Sequence, residues 1–467
     1  MQKFISKYGL AAHLALLAVT PLFLFPYFSE GGIAAAVMWM ALVAFGWLVM
    51  EPSRLAGEML HDARERVTRG ILRDPFFWCS LGLLVVAGIR WANGGVEQVY
   101  DAELAEWQMT SPVCEILPGS VDGSGMMPFA LLTGFAVVAL GFRHALGKRA
   151  RAACLLMTSA FAGIAALVAV ALAFEGQATA EAARTCAWTN PQFVGVAFAL
   201  HVLSGILALE GIFDYDWKGS VPLLAFALGG TVTGLVYFAP PLAIAVGLSA
   251  SLLLLALCLV HRFLTVSAID ALKFLIAFAL SLLVPVLVLI GCAPEGMLAE
   301  KFPYFAGGSL FSEDYWAMRA VLSEVASKAW QVHPWLGTGA GSFALDIGFQ
   351  ASPEDWKVLQ MGQGAALNGW RHLMAERGIV GLIEFVLAVG PLLWTFGRRL
   401  YFGIRSRKFL FPSATVGVLA LALVVAEAFF DVSLLRCDVM LALGALLTVS
   451  ASSLPRVKTD DDDSETN

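Results

Sequence analysis

Two stretches in the last third of the chain gather residue types that do chemistry on charged groups. The first is His333-Pro334-Trp335-Leu336-Gly337-Thr338-Gly339-Ala340-Gly341-Ser342-Phe343. Glycines at 337, 339 and 341 reach positive φ freely and let other backbone approach closely. Consecutive N–H groups in such a run can form an anion nest; a flexible turn is the plain alternative. The spacing is not that of a dinucleotide fingerprint, and no strand is expected before it. The second stretch holds Asn368, Arg371, His372, Glu376 and Arg377, then Gly378 and Gly381, and runs straight into an apolar segment. Its polar residues sit at the mouth of an expected helix bundle, where a lipid head group would lie.

Both stretches fall in or against one long loop, residues 293–377. A loop of that length without low complexity is commonly functional, and five tryptophans (Trp316, Trp330, Trp335, Trp356, Trp370) give it something to bury. Its first half reads as a helix. Ser312 is placed to cap it, with Glu313 and Asp314 favourable to the helix dipole. Tyr315, Met318, Leu322, Val325 and Ala329 recur at spacings of three and four, and Pro334 ends the pattern. Arg319 lies on the flank of that apolar stripe.

What holds this loop is a membrane. Of the 467 residues, 59% are hydrophobic and 14% charged, against about 25% charged in soluble domains, which excludes soluble globular, disordered and fibrous classes. A span takes about 20 apolar residues, and twelve such runs are found, the first at 9–27, the ninth at 273–292, and the last three at 378–396, 414–430 and 438–453. The expected fold is all-α: a polytopic membrane bundle of about twelve transmembrane helices with one large extracytoplasmic loop before the tenth. Segment bounds are 1–292 for nine spans, 293–377 for the loop, 378–453 for three spans and 454–467 for an acidic cytoplasmic tail. A re-entrant hairpin is the alternative for the last two. Most Lys and Arg fall between spans on one side, which places both termini in the cytoplasm. The exceptions in short outer segments are Arg90, Arg184 and Arg436. The first span reads as an uncleaved signal-anchor. Cys114, Cys186, Cys292 and Cys437 fall on the outer side and allow three disulfide pairings or none. His201, Glu210, Glu384, Glu427 and Asp431 fall in or at the ends of spans, where ionisable groups should face the bundle interior.

The two stretches resemble the O-antigen ligase and O-antigen polymerase family, which includes protein O-oligosaccharyltransferases. The likeness rests on Arg319 fifteen residues before Pro334, on the run from His333 to Phe343, and on Asn368, Glu376, Gly378 and Gly381. It covers about residues 315–385. One position departs: where the family has His before Asn, this chain has Leu367, which neither accepts a proton nor donates a hydrogen bond. His372 lies five residues on, about 140° round a helix from Leu367.

The resemblance implies a bacterial inner-membrane glycosyltransferase that moves or polymerises a glycan from a polyprenyl-diphosphate lipid donor. The acceptor would be a glycan, lipid or protein. No cofactor, nucleic acid or metal is expected. Arginine grips phosphate in a fork, so Arg319, Arg371 and Arg377 are the expected diphosphate ligands, with Gly337, Gly339, Gly341 and Asn368. Against this, Arg319 also reads as a solvated helix charge, and Arg371 and Arg377 as snorkelling interfacial residues. The attacking hydroxyl benefits from a base; the expected groups are His372, Glu376 and His333, with Asp346 less favoured. A transporter or lipid-glycan flippase is the competing reading, and Leu367 motivates a third, a non-catalytic member.

Overall fold

The fold was analysed in a computed structural model. It describes residues 2–24, 30–54, 57–94, 98–101, 106–109, 113–114, 117–121, 125–174, 191–292, 313–359, 365–405, 412–430 and 436–453. The expected cap Ser312, the acidic tail, Asp431 and Cys186 lie outside these residues, as do the side chains of Cys292 and Cys437. Cys114 is exposed and unbridged.

The described chain is helical except for one antiparallel hairpin, β1 (Gln98–Asp101) with β2 (Glu106–Met109). The helices run in chain order as α1 (Gln2–Leu24), α2 (Glu30–Met50), α3 (Leu60–Leu72), α4 (Pro75–Ala92), α5 (Met126–Leu140), α6 (Lys148–Phe174), α7 (Pro191–Asp214) and α8 (Val221–Phe238). They continue as α9 (Pro241–Thr265), α10 (Ala268–Ser281), α11 (Leu283–Cys292), α12 (Glu313–Val332), α13 (Phe343–Gln350), α14 (Gly369–Arg405), α15 (Pro412–Ala428) and α16 (Cys437–Ser453).

Among the described residues, nine helices are long and apolar enough to cross a membrane. Three shorter apolar helices, Tyr8–Leu24, Pro412–Ala428 and Asp438–Ser453, pack with them. Helices α10 and α11 count as one such element, interrupted at Leu282. Pro285 sits in the first turn after that break, where its missing N–H is tolerated. Helices α7 and α16 are buried on nearly every side, as expected of helices that are apolar all round and central to a bundle. In α2, α4, α9 and α10 one face is buried and the other shows large apolar side chains, such as Trp39, Trp78, Leu264 and Ile269, which is stable against lipid and not against water. The amphipathic α3 buries Ala63, Val67 and Ile71; its span-length neighbours masked it in the hydropathy pattern.

Helix α12 occupies the stretch whose periodicity predicts a helix. Its Leu322, Val325, Ala326 and Ala329 form a second apolar core, apart from that of the bundle, with Phe343 and Ile347 of α13 and with Leu367. This small core holds the Gly-rich run above the start of α14.

Candidate functional site

Helix α14 is broken near its start. Gly378 has φ 61° and ψ −158°, a backbone region essentially reserved for glycine. The break orphans two carbonyls before it and two N–H groups after it, and the Gly-rich run supplies all four partners. Thr338 N–H donates to Ala375 O and Gly339 N–H to Glu376 O, each at 2.9 Å. In return, Ile379 N–H donates to Pro334 O at 3.0 Å and Val380 N–H to Trp335 O at 3.1 Å. Contact this close needs glycine on both sides. A Cβ on Gly378 would stand 2.4 Å from the Trp335 carbonyl carbon, and one on Gly337 would stand 2.2 Å from the Glu376 carbonyl carbon. Gly337, Gly339 and Gly341 all have positive φ.

The nest expected to cradle an external anion is therefore closed by the protein itself. Gly337 N–H donates to His333 O at 2.9 Å, and Gly341 N–H donates to the Glu376 carboxylate at 3.0 Å. The three glycines act as a structural roof.

His372 and Glu376 are both buried beneath this roof. Imidazole Nδ1 accepts the Ala366 N–H at 3.3 Å, and Nε2 lies 3.4 Å from Glu376 Oε1. The ring packs edge-on against Phe343, with centroids 5.0 Å apart. Both nitrogens thus have protein neighbours. Asp346 joins the same cluster through the Thr338 hydroxyl, which donates to its Oδ2 at 2.8 Å. Burial pushes the Asp346 carboxyl up to about 6; the Thr338 hydrogen bond opposes the rise, and the nearby Glu376 charge adds to it.

The other expected residues lie elsewhere. Asn368 caps α14, its Oδ1 accepting the Trp370 and Arg371 N–H groups, each at 3.1 Å. That duty accounts for its place in the motif. Leu367 and His372 do not share a helix, because α14 starts at Gly369, so the 140° separation expected on one helix is not present. Arg319 donates to Phe429 O at 2.6 Å, with its guanidinium over the rings of Trp316 and Phe430 at 5.2 and 4.7 Å. It ties α12 to the end of α15. Arg371 donates to Ser323 O at 3.2 Å on the exposed side of α14. His333 is exposed at the end of α12.

Arg377 alone among the expected arginines turns under the roof. Gly381, one turn on, makes the room: a Cβ there would stand 2.4 Å from Arg377 Cβ. The guanidinium reaches Glu384 Oε2 at 3.4 Å. Arg90 of α4 reaches the same carboxylate, its Nη1 3.4 Å from Oε1 and 3.5 Å from Oε2. All three side chains are nearly buried, at 16% exposure for Arg90, 15% for Arg377 and 11% for Glu384. They line a recess with a second carboxylate, Glu376, and with Gly119, Ser120 and Gly339; it holds about 20 Å³, room for about one water. Two guanidiniums thus share one carboxylate.

Arg90 was not singled out by its motif, yet the charge pattern flagged it as one of three cations in short segments on the wrong side of the positive-inside count. Asn93, at the end of α4, carries no signal in the sequence. Its amide donates to Leu117 O at 2.9 Å and Cys114 O at 3.1 Å, and its Oδ1 accepts the Cys114 N–H at 2.6 Å. It thereby shapes the segment whose Val121 N–H donates to Ala340 O at 3.0 Å. Among the described residues no cluster of His, Cys, Asp and Glu is arranged to hold a metal ion. The chain matches no protein-family model and no curated protein.

Proposed function

We propose that this chain is a bacterial inner-membrane glycosyltransferase, ligase- or polymerase-like, acting on a polyprenyl-diphosphate-linked glycan at the extracytoplasmic face. Twelve spans, both termini in the cytoplasm and a 293–377 outer segment belong to the same reading. One observation carries it: Arg90 and Arg377 converge on a single carboxylate beneath the glycine roof. Guanidiniums grip phosphate in a fork, and a diphosphate that displaced the Glu384 carboxylate would meet both of them; the recess holds about 20 Å³, so in this reading α4 and α14 part to admit it.

In this reading the diphosphate takes over both guanidiniums from Glu384. The acceptor oxygen forms its bond to sugar C1 as the C1–O bond to diphosphate breaks, and the electron pair leaves with the diphosphate. Glu384, released from both arginines, accepts the proton of the acceptor hydroxyl. His372 and Glu376 hold the roof instead, because their polar atoms already face protein partners.

A second reading, a non-catalytic glycolipid-binding member, is favoured by the burial of Leu367 in the outer core and by the enclosure of His372. The two separate in one experiment. The purified protein is reconstituted with a polyprenyl-diphosphate glycan and candidate acceptors, and glycan release is followed for wild type, Arg90→Ala, Arg377→Ala and Glu384→Gln. Transfer by wild type with at least about a tenfold loss in each variant is expected, equivalent to about 1.4 kcal/mol or more. Arginine-dependent binding without release would establish the non-catalytic reading. Lipid translocation without transfer would overturn both in favour of a transporter.

A further inference from the structure

Both ends of helix α12 are tied to the ends of apolar helices. At its start, the Tyr315 hydroxyl donates to Phe430 O at 3.2 Å and Arg319 donates to Phe429 O at 2.6 Å, where α15 finishes. Just past its far end, Pro334 O accepts two N–H groups. One is that of Ile379 in α14 at 3.0 Å, and the other is that of the Trp330 indole at 3.1 Å. The next carbonyl, of Trp335, accepts the Val380 N–H at 3.1 Å.

The two anchor points stand at nearly the same height in the bundle. Phe396 of α14 packs with Ala414 of α15 toward the opposite end of both helices. Ile379 lies 17 positions before Phe396 and Phe429 lies 15 positions after Ala414, which are rises of about 25 and 22 Å. Helix α12 has 20 residues and is about 30 Å long. Held at one height at both ends, it runs across the bundle rather than up from it, at the level where the apolar runs of α14 and α15 stop. Its two edges differ. At about 100° per residue, Trp316 and Trp330 fall within about 60° of Arg319, the side chain that reaches α15. Lys328, paired with Glu324 at 2.9 Å, falls about 180° from Arg319. Trp316 and Trp335 are exposed, at 48% and 67%. Below them Phe429 at the end of α15 and Ile383 in α14 are exposed as well, so the aromatic edge continues the lipid-facing surface of the apolar helices.

From this arrangement we infer that the edge of α12 carrying Trp316 and Trp330, with Trp335 beyond it, is seated in the head-group layer of the bilayer. Helix α12 is then an interfacial helix, and its seating sets the height of the glycine roof above the lipid. An indole suits this layer because its body is apolar and its N–H polar. The opposite edge, with its Glu324–Lys328 pair, faces water, as in helices that lie in the interface plane. The seating does not depend on which face of the membrane these helix ends occupy. A sugar ring and a second copy of this chain are the other surfaces that cover exposed indoles; continuity with the lipid-facing helices favours lipid.

The test uses the full-length protein carrying fluorotryptophan, reconstituted in phosphatidylcholine nanodiscs. The fluorine resonances of the two exposed indoles are assigned from Trp316→Phe and Trp335→Phe, and Lys328→Trp adds a reporter on the opposite edge. Two relaxation agents are compared, a phosphatidylcholine with a nitroxide on its head group and a water-soluble gadolinium chelate. The edges of a helix stand about 10 Å apart, so the lipid label is expected to broaden Trp316 and Trp335 at least about threefold more than the Lys328→Trp reporter, and the chelate to reverse that order. The variants serve assignment alone, so if one folds poorly the other indole still reports. Equal broadening of indoles and reporter by the chelate would overturn the seating. So would one indole following the lipid label and the other the chelate, because α12 would then tilt out of the layer. Broadening by neither agent would overturn it in favour of a second copy covering the edge. Shifts on adding a soluble oligosaccharide, without a response to the lipid label, would overturn it in favour of a glycan.

Discussion

Gly378 decides the geometry of the roof through one dihedral pair. An L-residue at φ 61°, ψ −158° costs about 1–3 kcal/mol in backbone strain, before the overlap of its Cβ with the Trp335 carbonyl. Gly378→Ala is therefore expected to lower stability by at least that amount and to raise amide exchange at 334–341 together with 375–380. Exchange confined to one of the two segments would contradict the shared hydrogen bonding. Asp346 supplies a pH signature. Its folded value of about 6 lies above the ordinary 3.8, so the folded state binds the proton more tightly. Its contribution is present in full below about 4 and is lost as pH rises through about 6, a change of up to about 3 kcal/mol. In Asp346→Asn that slope should flatten; denaturant melts at pH 4, 5, 6 and 7 would show it.

At the scale of elements, apolar run length revealed the bundle because lipid imposes it. The period of three and four revealed α12 because one stripe of it packs against a core. Three things were not legible. The hairpin and α3 are too short and too polar to stand out beside long apolar runs. Asn368 reads as a ligand in a motif, whereas in space it is a cap. Arg90 joins Arg377 only through packing of α4 against α14, which no local pattern encodes. Its one trace was a charge on the unexpected side, and Arg436, another such exception, likewise forms a buried pair, with Asp438 at 2.8 Å. Leu367 gains a positive reason at this scale, since it fills the outer core with Leu322, Phe343 and Ile347. Leu367→His is expected to lose about 2–4 kcal/mol, from lost apolar burial and a buried imidazole without a prepared partner, and to gain no transfer activity. A rise in turnover would mean that the family histidine site survives beneath the leucine.

Across the whole molecule, the recess joins residues 294 positions apart, Arg90 and Glu384. Removing the Glu384 carboxylate leaves Glu376 as the one acidic side chain lining the recess with the two guanidiniums. Glu384→Gln should cost about 2–4 kcal/mol, within the range for breaking a mostly buried pair once partial exposure is discounted. Arg90→Ala should cost less, because the Arg377–Glu384 pair survives. Inorganic diphosphate should stabilise Glu384→Gln more than wild type, since it supplies the missing anion. Calorimetric melts with and without diphosphate measure both effects, and equal stabilisation of the two proteins would remove the recess as the diphosphate site.

The four main-chain bonds across the Gly378 break also fix the route by which a ligand can arrive. Lifting the glycine run would strand two carbonyls and two N–H groups at once, at about 1–3 kcal/mol for each one left dry, and would uncover Glu376 as well. A hinged lid made this way would open rarely. The roof is better described as a fixed ceiling, and in the proposed reading a ligand would have to enter from the side, by parting α4 from α14. Ile89 and Trp91 on the first helix and Ile383 on the second are exposed, so a long-tailed donor of the proposed kind could keep its tail in the lipid along that side.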